Sequence, residues 1–396
     1  MNAKDIKSLH NIIIMRRGWI YFALFIFFAS YAMGSMDGSV VDKHSSLGLP
    51  EETWSRNFGS FLFPDMGHTI EECDDGYIAG GMTIRFPYLE QYGWLLKLDD
   101  RGRMKWSIIL KNMEDLIDVE IVSDGIIAGG YGKDGDLKIL KIDPEGNIIW
   151  EKSFGGEYLE ILKKDGCITE TKDGGYVVLS TTWSFSDDKG ADMWLLKLDR
   201  DGNKEWEMVY GEREDADIGY GIMEVEDGYI IVGQSFSFNY TDSGIIIKVD
   251  ENGNIIWEKR MGNSLYSVSS KDDCYVVTGN LWDEKESRYV FLMAEVEKNG
   301  SITWLKTSDD LPSEGGYSMD KADDGFIACG NGESSVTVVK LDGDGNEIWK
   351  EKFDGIGWRR AECIKKVDDG FILVGGKTSF PWLFPYFLDL WVMKIQ

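Results

Sequence analysis

Basic side chains are scarce in this chain of 396 residues: 42 Lys and Arg stand against 69 Asp and Glu, a formal charge of −27. A surface of that sign repels phosphate backbones and anionic headgroups, which excludes nucleic acid and charged lipid surfaces as electrostatic partners. Histidine occurs three times, as His10, His44 and His68, too few for a three-imidazole zinc centre within one folded unit. The five cysteines show no CxxC spacing, which argues against a disulfide framework or a thiolate metal site; they read as small buried hydrophobes, and no metal or cofactor is expected. Gln, at three copies, is rare beside abundant Lys and Glu, a compositional lean towards heat-tolerant proteins. What is present is 43% apolar residues and only 7 Pro, enough to bury a large core and too apolar for disorder.

Arg16 and Arg17 precede an uncharged apolar run, residues 18–33, which reads as a membrane-targeting helix. It is shorter than the ~20 residues of a comfortable span, and Ser30-Tyr31-Ala32 has the small-residue spacing of a signal-peptidase site. Residues 1–34 are therefore a signal peptide or a signal anchor, starting at Met1 or Met15, with a polar linker at 35–51 and the folded domain at 52–396. Export to the cell surface or beyond follows from this reading.

A tight turn followed by an aromatic or β-branched run recurs seven times, as Asp75-Gly76-Tyr77, Asp124-Gly125-Ile126, Gly174-Gly175-Tyr176, Asp227-Gly228-Tyr229, Asp273-Cys274-Tyr275, Asp324-Gly325-Phe326 and Asp369-Gly370-Phe371. Asp-Gly between apolar runs signals a hairpin, because Gly supplies the positive φ without strain. Cys274 in the Gly slot predicts either positive φ at that cysteine or a locally altered turn. Each unit continues through a variable loop into a strand ending in Lys-x-Asp, then an Asp-x-x-Gly turn, as at Asp99/Gly102 and Asp199/Gly202. A strand carrying a tryptophan follows: Trp106, Trp150, Trp206, Trp257, Trp304 and Trp349. Four short antiparallel strands in a period of about 50 residues predict an all-β, seven-bladed β-propeller. The chain stops on the third strand of the seventh unit, while Thr53-Trp54-Ser55-Arg56-Asn57-Phe58-Gly59 matches a fourth strand with no blade before it, so the N-terminal strand is expected to close the ring.

The stretch Asp-x-x-Gly-Asn-x-x-Trp-x-x-x-(Phe/Tyr)-Gly, at Asp143 to Gly155 and Asp199 to Gly211, resembles the tryptophan-docking repeat of quinoprotein-like (PQQ-like) β-propellers, and the whole unit resembles secreted or membrane-tethered repeat propellers of archaea and bacteria. The resemblance implies a fold and a packing role for the repeat tryptophans. It carries no catalytic residues: the quinoprotein dehydrogenases have eight blades and a vicinal cysteine pair, and this chain has seven units and no adjacent cysteines.

The tight turns must share one face of the ring and the variable loops, with the connections between blades, the other. Aromatic residues crowd those loops, and the partner-binding candidates are Trp183, Phe185, Phe236, Tyr240, Trp282, Trp382, Phe384 and Tyr386, with Phe86, Tyr88, Tyr92, Phe238 and Tyr289 nearby. These rings either fold back over the blade ends as satellite core or offer an apolar face to a partner. Acidic residues recur six positions before the aromatic, at Glu71, Glu120, Glu170 and Asp320, with Lys365 at the same place in the seventh unit; pairing with Lys365, water and backbone amides is the simpler account of them and a cation site the other. The strand lysines Lys97, Lys141, Lys197, Lys248, Lys340 and Lys394 read as cross-strand partners, with Glu295 replacing them in the fifth unit. His68 has no catalytic partner visible in the sequence. The resulting expectation is an exported, monomeric, non-catalytic scaffold for a protein, peptide or glycan, the membrane being met only through residues 18–33. The alternative is a propeller enzyme, a quinone-dependent dehydrogenase or carboxylate-based lyase or hydrolase, working at the channel mouth.

Overall fold

The computed structural model describes residues 50–59, 63–85, 88–186, 190–211, 216–236, 243–308, 318–332, 334–355, 357–378 and 388–396. The hydrophobic segment 18–33 and the candidates Tyr240, Trp382, Phe384 and Tyr386 lie outside these residues, as do Phe86 and Phe238.

The described residues from 52 onward form seven antiparallel sheets, and in six of them the chain order is the spatial order, from the innermost strand to the outermost, while the seventh takes its outermost strand from the start of the domain. The first blade runs Asp65–Cys73, Gly76–Arg85, Glu90–Leu98 and Met104–Leu110. The third departs from the pattern, because its innermost strand is split into Glu160–Ile161 and Ile168–Glu170. Seven core clusters each lie between two neighbouring blades. In one of them Ile70, Tyr77 and Leu96 of the first blade pack with Cys363, Ile372 and Val392 of the seventh, which makes the array a closed ring.

Closure follows the expected scheme. Glu52–Phe58 pairs antiparallel with Leu388–Ile395 as the fourth strand of the seventh blade, with Trp54 opposite Lys394. The amide of Glu51 donates to the carbonyl of Gln396 at 3.0 Å, the amide of Gln396 returns a bond of the same length, and the Trp391 indole donates to Ser55 Oγ at 2.8 Å. Both strand edges at the chain ends are thereby satisfied.

The repeat tryptophans fasten one blade to the next. Trp54, Trp106, Trp150, Trp206, Trp257 and Trp304 lie over Gly102, Gly146, Gly202, Gly253, Gly300 and Gly345 of the following blade's Asp-x-x-Gly turn. Each of these glycines has φ between 71° and 93°, so the turn geometry and the ring above both exclude a side chain. Trp349 has no such turn ahead of it, since the seventh blade is where the chain ends meet, and its ring packs 6.1 Å from that of Phe371.

The strand lysines reach the carboxylate of the Asp-Gly turn in their own blade: Lys97 pairs with Asp75, Lys141 with Asp124, Lys197 with Asp173 at 2.9 Å, Lys248 with Asp227 at 2.8 Å, Lys340 with Asp324 at 2.5 Å, and Lys394 with Asp369. In the fifth blade the charges are reversed and the partner position differs, with Lys271, at the place of Cys73 and two residues before the turn aspartate Asp273, holding its Nζ 2.5 Å from Glu295 Oε2. The five cysteines are free thiols, with Cys167, Cys329 and Cys363 buried.

At the fifth turn the second of the two expectations is met. Cys274 does not adopt positive φ; the left-handed residue is Asp272, at φ 46°, two positions earlier. In the sister blades Gly76, Gly125, Gly228, Gly325 and Gly370 have φ from 134° to 151°, a conformation a cysteine avoids by relocating the turn.

Candidate functional site

The second-to-third-strand loops and the connections between blades open on one face, the tight turns on the other. Seven aromatic side chains among the described residues are exposed: Tyr88, Tyr158, Phe185, Phe236, Trp282, Tyr289 and Trp358. All seven belong to the loop face. Tyr158 and Trp358 were not anticipated, because they sit in connections between blades, where the repeat provides no register to compare.

Of the predicted binding residues, Phe185, Phe236 and Trp282 are exposed on that face, and Trp183 is half-buried beneath Lys163, whose Nζ stands 5.8 Å from its ring. Phe185 leans on the buried Trp194, ring centres 4.8 Å apart, so it is partly satellite core. Trp282 and Tyr289 meet edge to face at 5.0 Å across the hairpin that joins Cys274–Asp283 to Arg288–Glu297. Of the three non-glycine residues with positive φ among the described residues, two flank exposed rings: Leu89, at 58°, follows Tyr88, and Ser287, at 50°, lies two residues before Tyr289. A left-handed conformation costs a leucine about 1–2 kcal/mol, and Leu89 is more than half exposed.

An arc of the face is continuous. The Lys133 ammonium of the second blade bonds Glu90 at 2.9 Å and lies 4.7 Å from the Tyr92 ring. The amide of Glu160 donates to Gly135, the amide of Trp183 to the Leu159 carbonyl at 3.0 Å, and that of Tyr158 to Ser184 Oγ at 2.8 Å. Tyr88, Leu89, Tyr158, Leu159 and Phe185 thus sit on loops tied to one another.

The second concave feature is the central channel, a cavity of about 420 Å³. Innermost strands carry a β-bulge at one common level, at His68, Ile117, Tyr220, Tyr266 and Glu362, and bulges re-aim side chains towards a site. In the third blade the bulge grows into a loop: Glu160 precedes Tyr176 by sixteen residues, where Asp65 precedes Tyr77 by twelve. The loop carries Asp165 across the axis, with its carboxylate 3.2 Å from Lys365 Nζ, accepting from Thr69 Oγ1 and 3.3 Å from Cys363 Sγ. Lys365 Nζ is also 2.6 Å from Glu71 Oε1.

The channel carboxylates Asp118, Glu120 and Asp320 are met by backbone amides of adjacent blades, in line with the simpler account. Asp118 Oδ2 accepts from the amides of Cys167 and Ile168, each at 2.7 Å; Glu120 accepts from Thr169 Oγ1 and the Glu170 amide; and Asp320 accepts from the Lys366 amide at 2.7 Å. Glu170 itself is one register off the predicted row. The third blade's turn holds one extra residue, so Glu170 pairs with Tyr176 and Thr169 takes the place beside Glu120.

Burial pushes Glu71 up to about 7 against the pull of Lys365, and pushes Glu120 up to about 8. Asp118 is likewise raised well above the carboxylate range, by burial and then by Asp165. Burial alone would lower Lys365, but Asp165 and Glu71 hold its ammonium well above the usual lysine range. His68 acquires a partner that the sequence did not reveal: its Nε2 is 3.1 Å from Asp115 Oδ1 of the second blade, and that carboxylate outweighs burial to raise the imidazole. Among the described residues no group of three or more His, Cys, Asp or Glu is arranged to hold a metal ion.

No family model matches the chain, and no curated protein matches it. Solved structures do. The polysaccharide lyase Uly1 superposes with a TM-score of 0.52 at 10% identity, over 83% of this chain and 89% of that one. A protein of unknown function from Dyadobacter fermentans gives 0.50 at 9% identity, over 88% and 99%. BamB from Moraxella catarrhalis gives 0.47 at 12% identity, over 87% and 100%. At such identities the likeness is one of fold.

Proposed function

We propose that this propeller is an exported binding scaffold, delivered or anchored through residues 18–33, that recognises a protein, peptide or glycan through its loop face. The observation that carries the reading is the segregation of exposed aromatics: seven on the loop face and none on the turn face among the described residues. Scattered apolar side chains need no explanation, but aromatics confined to one face of a symmetric scaffold, two of them beside strained backbone, mark a recognition surface. Trp282 and Tyr289 supply an exposed edge-to-face pair, and Phe185, Phe236 and half-buried Trp183 lie on the same face; Tyr240, Trp382, Phe384 and Tyr386 belong to the same group by position in the sequence.

The test pairs wild type with Trp282→Ala/Tyr289→Ala and with Tyr88→Ala/Phe185→Ala, screened against immobilised polysaccharides and a peptide array. Ligands retained by wild type are expected to be lost at least tenfold by one or both variants at an unchanged melting temperature. Equal retention by both variants would refute the loop-face reading. An enzyme working in the channel is the second reading, favoured by Glu71 standing near neutrality beside Lys365. Turnover of a retained glycan, abolished by Glu71→Gln, would establish it.

A further inference from the structure

The loop inserted in the third blade touches far more of the ring than its size suggests. Asp165 contacts Thr69 of the first blade and Lys365 and Cys363 of the seventh. The amides of Cys167 and Ile168, at its far end, donate to Asp118 of the second blade. The Gly166 carbonyl accepts from the Ile222 amide of the fourth at 2.8 Å, and Lys164 Nζ lies 4.5 Å from the Tyr266 ring of the fifth. One loop is fastened to five other blades, which is possible only where all of them converge, on the axis. The cavity wall is consistent with this: its lining runs from the bulge level, where Lys164, Asp165 and Gly166 complete it, down to Glu120, Ile121 and Asp320 near the tight turns.

We propose that residues Lys163 to Gly166 form a stopper that closes the channel on the loop side and leaves a blind pocket entered from the turn face, with the Asp165 carboxylate as its seat. A small solute then reaches Glu71, Glu120 and Asp320 only between the Asp-Gly turns, while the aromatic face presents a surface without a hole at its centre. This inference is independent of what the loop face binds.

A thiol under the seat provides the readout. Cys363 is fully buried beside Asp165, its thiol raised well above the ordinary range by burial and then by that carboxylate, so it reacts only when water enters. Cys329, in the second strand of the sixth blade, is also buried but lies within the field of Lys164 and Asp165, so it belongs to the same neighbourhood, and global unfolding is followed separately by the urea midpoint. Wild type, Asp165→Ala and a deletion of residues 164–166, which restores the first blade's spacing from Asp65 to Glu72, are treated with N-ethylmaleimide and each cysteine is followed by peptide mass mapping. In wild type Cys363 and Cys329 are expected to react equally slowly. In both variants Cys363 should react about tenfold faster or more at an unchanged urea midpoint, the signature of local opening. Asp165→Asn, which keeps an acceptor for Thr69, is the milder variant if the others fail to fold, with about a threefold rise expected at Cys363. The proposal is overturned if Cys363 already reacts in wild type as fast as the half-buried Cys73, if its acceleration appears only with a fall in the urea midpoint, or if no variant accelerates it.

Discussion

The Trp54 ring lies directly over Gly102, with its Cζ3 2.5 Å from where a Cβ on that glycine would stand, and its indole nitrogen donates to the Asp100 carbonyl at 3.2 Å. A residue near the start of the domain, serving as part of the last blade, is thereby clamped onto the first.

Gly102→Ala should destabilise the protein by ~2–4 kcal/mol, since the methyl group both strains a backbone at φ 71° and displaces the ring. Trp54→Ala should cost ~3–5 kcal/mol. The double variant should cost clearly less than the sum, because once the ring is gone the methyl has nothing to strike. Urea unfolding of the four proteins measures this, and strict additivity would show that the contact has no energetic content. Deleting residues 52–58 removes the whole strand and is expected to cause aggregation or a large fall in melting temperature.

The fifth blade's reversed pair offers a charge-swap test. Glu295→Lys places two ammonium groups together in a largely buried setting and should cost ~3 kcal/mol. Adding Lys271→Glu restores one charge of each sign at the same two positions and should recover stability to within ~1 kcal/mol of wild type. A double variant as unstable as the single one would show that the surroundings, and not the pair, select the orientation.

At the neighbouring turn, Cys274→Gly should destabilise by ~0.5–1 kcal/mol, because the cysteine already has an ordinary backbone and glycine only adds freedom to the unfolded chain. Asp272→Gly should have the opposite sign, by up to ~1 kcal/mol, since φ 46° suits glycine. Thermal melts of the two variants test the relocation of the turn directly.

Stability should peak on the acid side of neutrality. Glu120 has a folded pKa of about 8, above its unfolded value, so its contribution is fully present below the unfolded pKa and is lost as pH rises towards 8. The turn aspartates Asp75, Asp124 and Asp173, held down to about 2 with lysine partners, act in reverse: their contribution is present above about 4 and lost as pH falls towards 2. A maximum at about pH 4–5 is expected in melting temperature. Glu120→Gln, which keeps the acceptor for Thr169, should flatten the decline between about 5 and 8, whose slope is at most about 1.4 kcal/mol per pH unit for each such group. An unchanged slope would show that Glu120 is ionised at neutrality.

The ring was readable because its parts are local and repeated. An Asp-Gly turn, a glycine in an Asp-x-x-Gly turn and a tryptophan seven residues after that turn's first residue are each chemistry within a few residues, and the repeated copies average out the exceptions. The loop-face aromatics were readable for the same reason, as departures from a known register. Asp165 was not: it lies in an insertion, which by definition has no sister position, and its partners Thr69 and Lys365 are near only because the ring closes. His68 with Asp115 failed to show for the related reason that the pair joins two blades. Glu170 was misplaced by a single extra residue in a turn, enough in a strand to exchange one row for the next.

The strand that completes the seventh blade also sets a schedule. Trp54 faces Lys394 across a separation of 340 residues, so the first strand made is the last to find its place. At about 5–20 residues per second it waits roughly 20–70 s during synthesis with both edges open. High contact order makes the closing step slow in any refolding experiment as well. Glu52, Arg56 and the absence of a long apolar stretch in Glu52–Phe58 keep that waiting strand soluble, a gatekeeping role that equilibrium stability would never reveal.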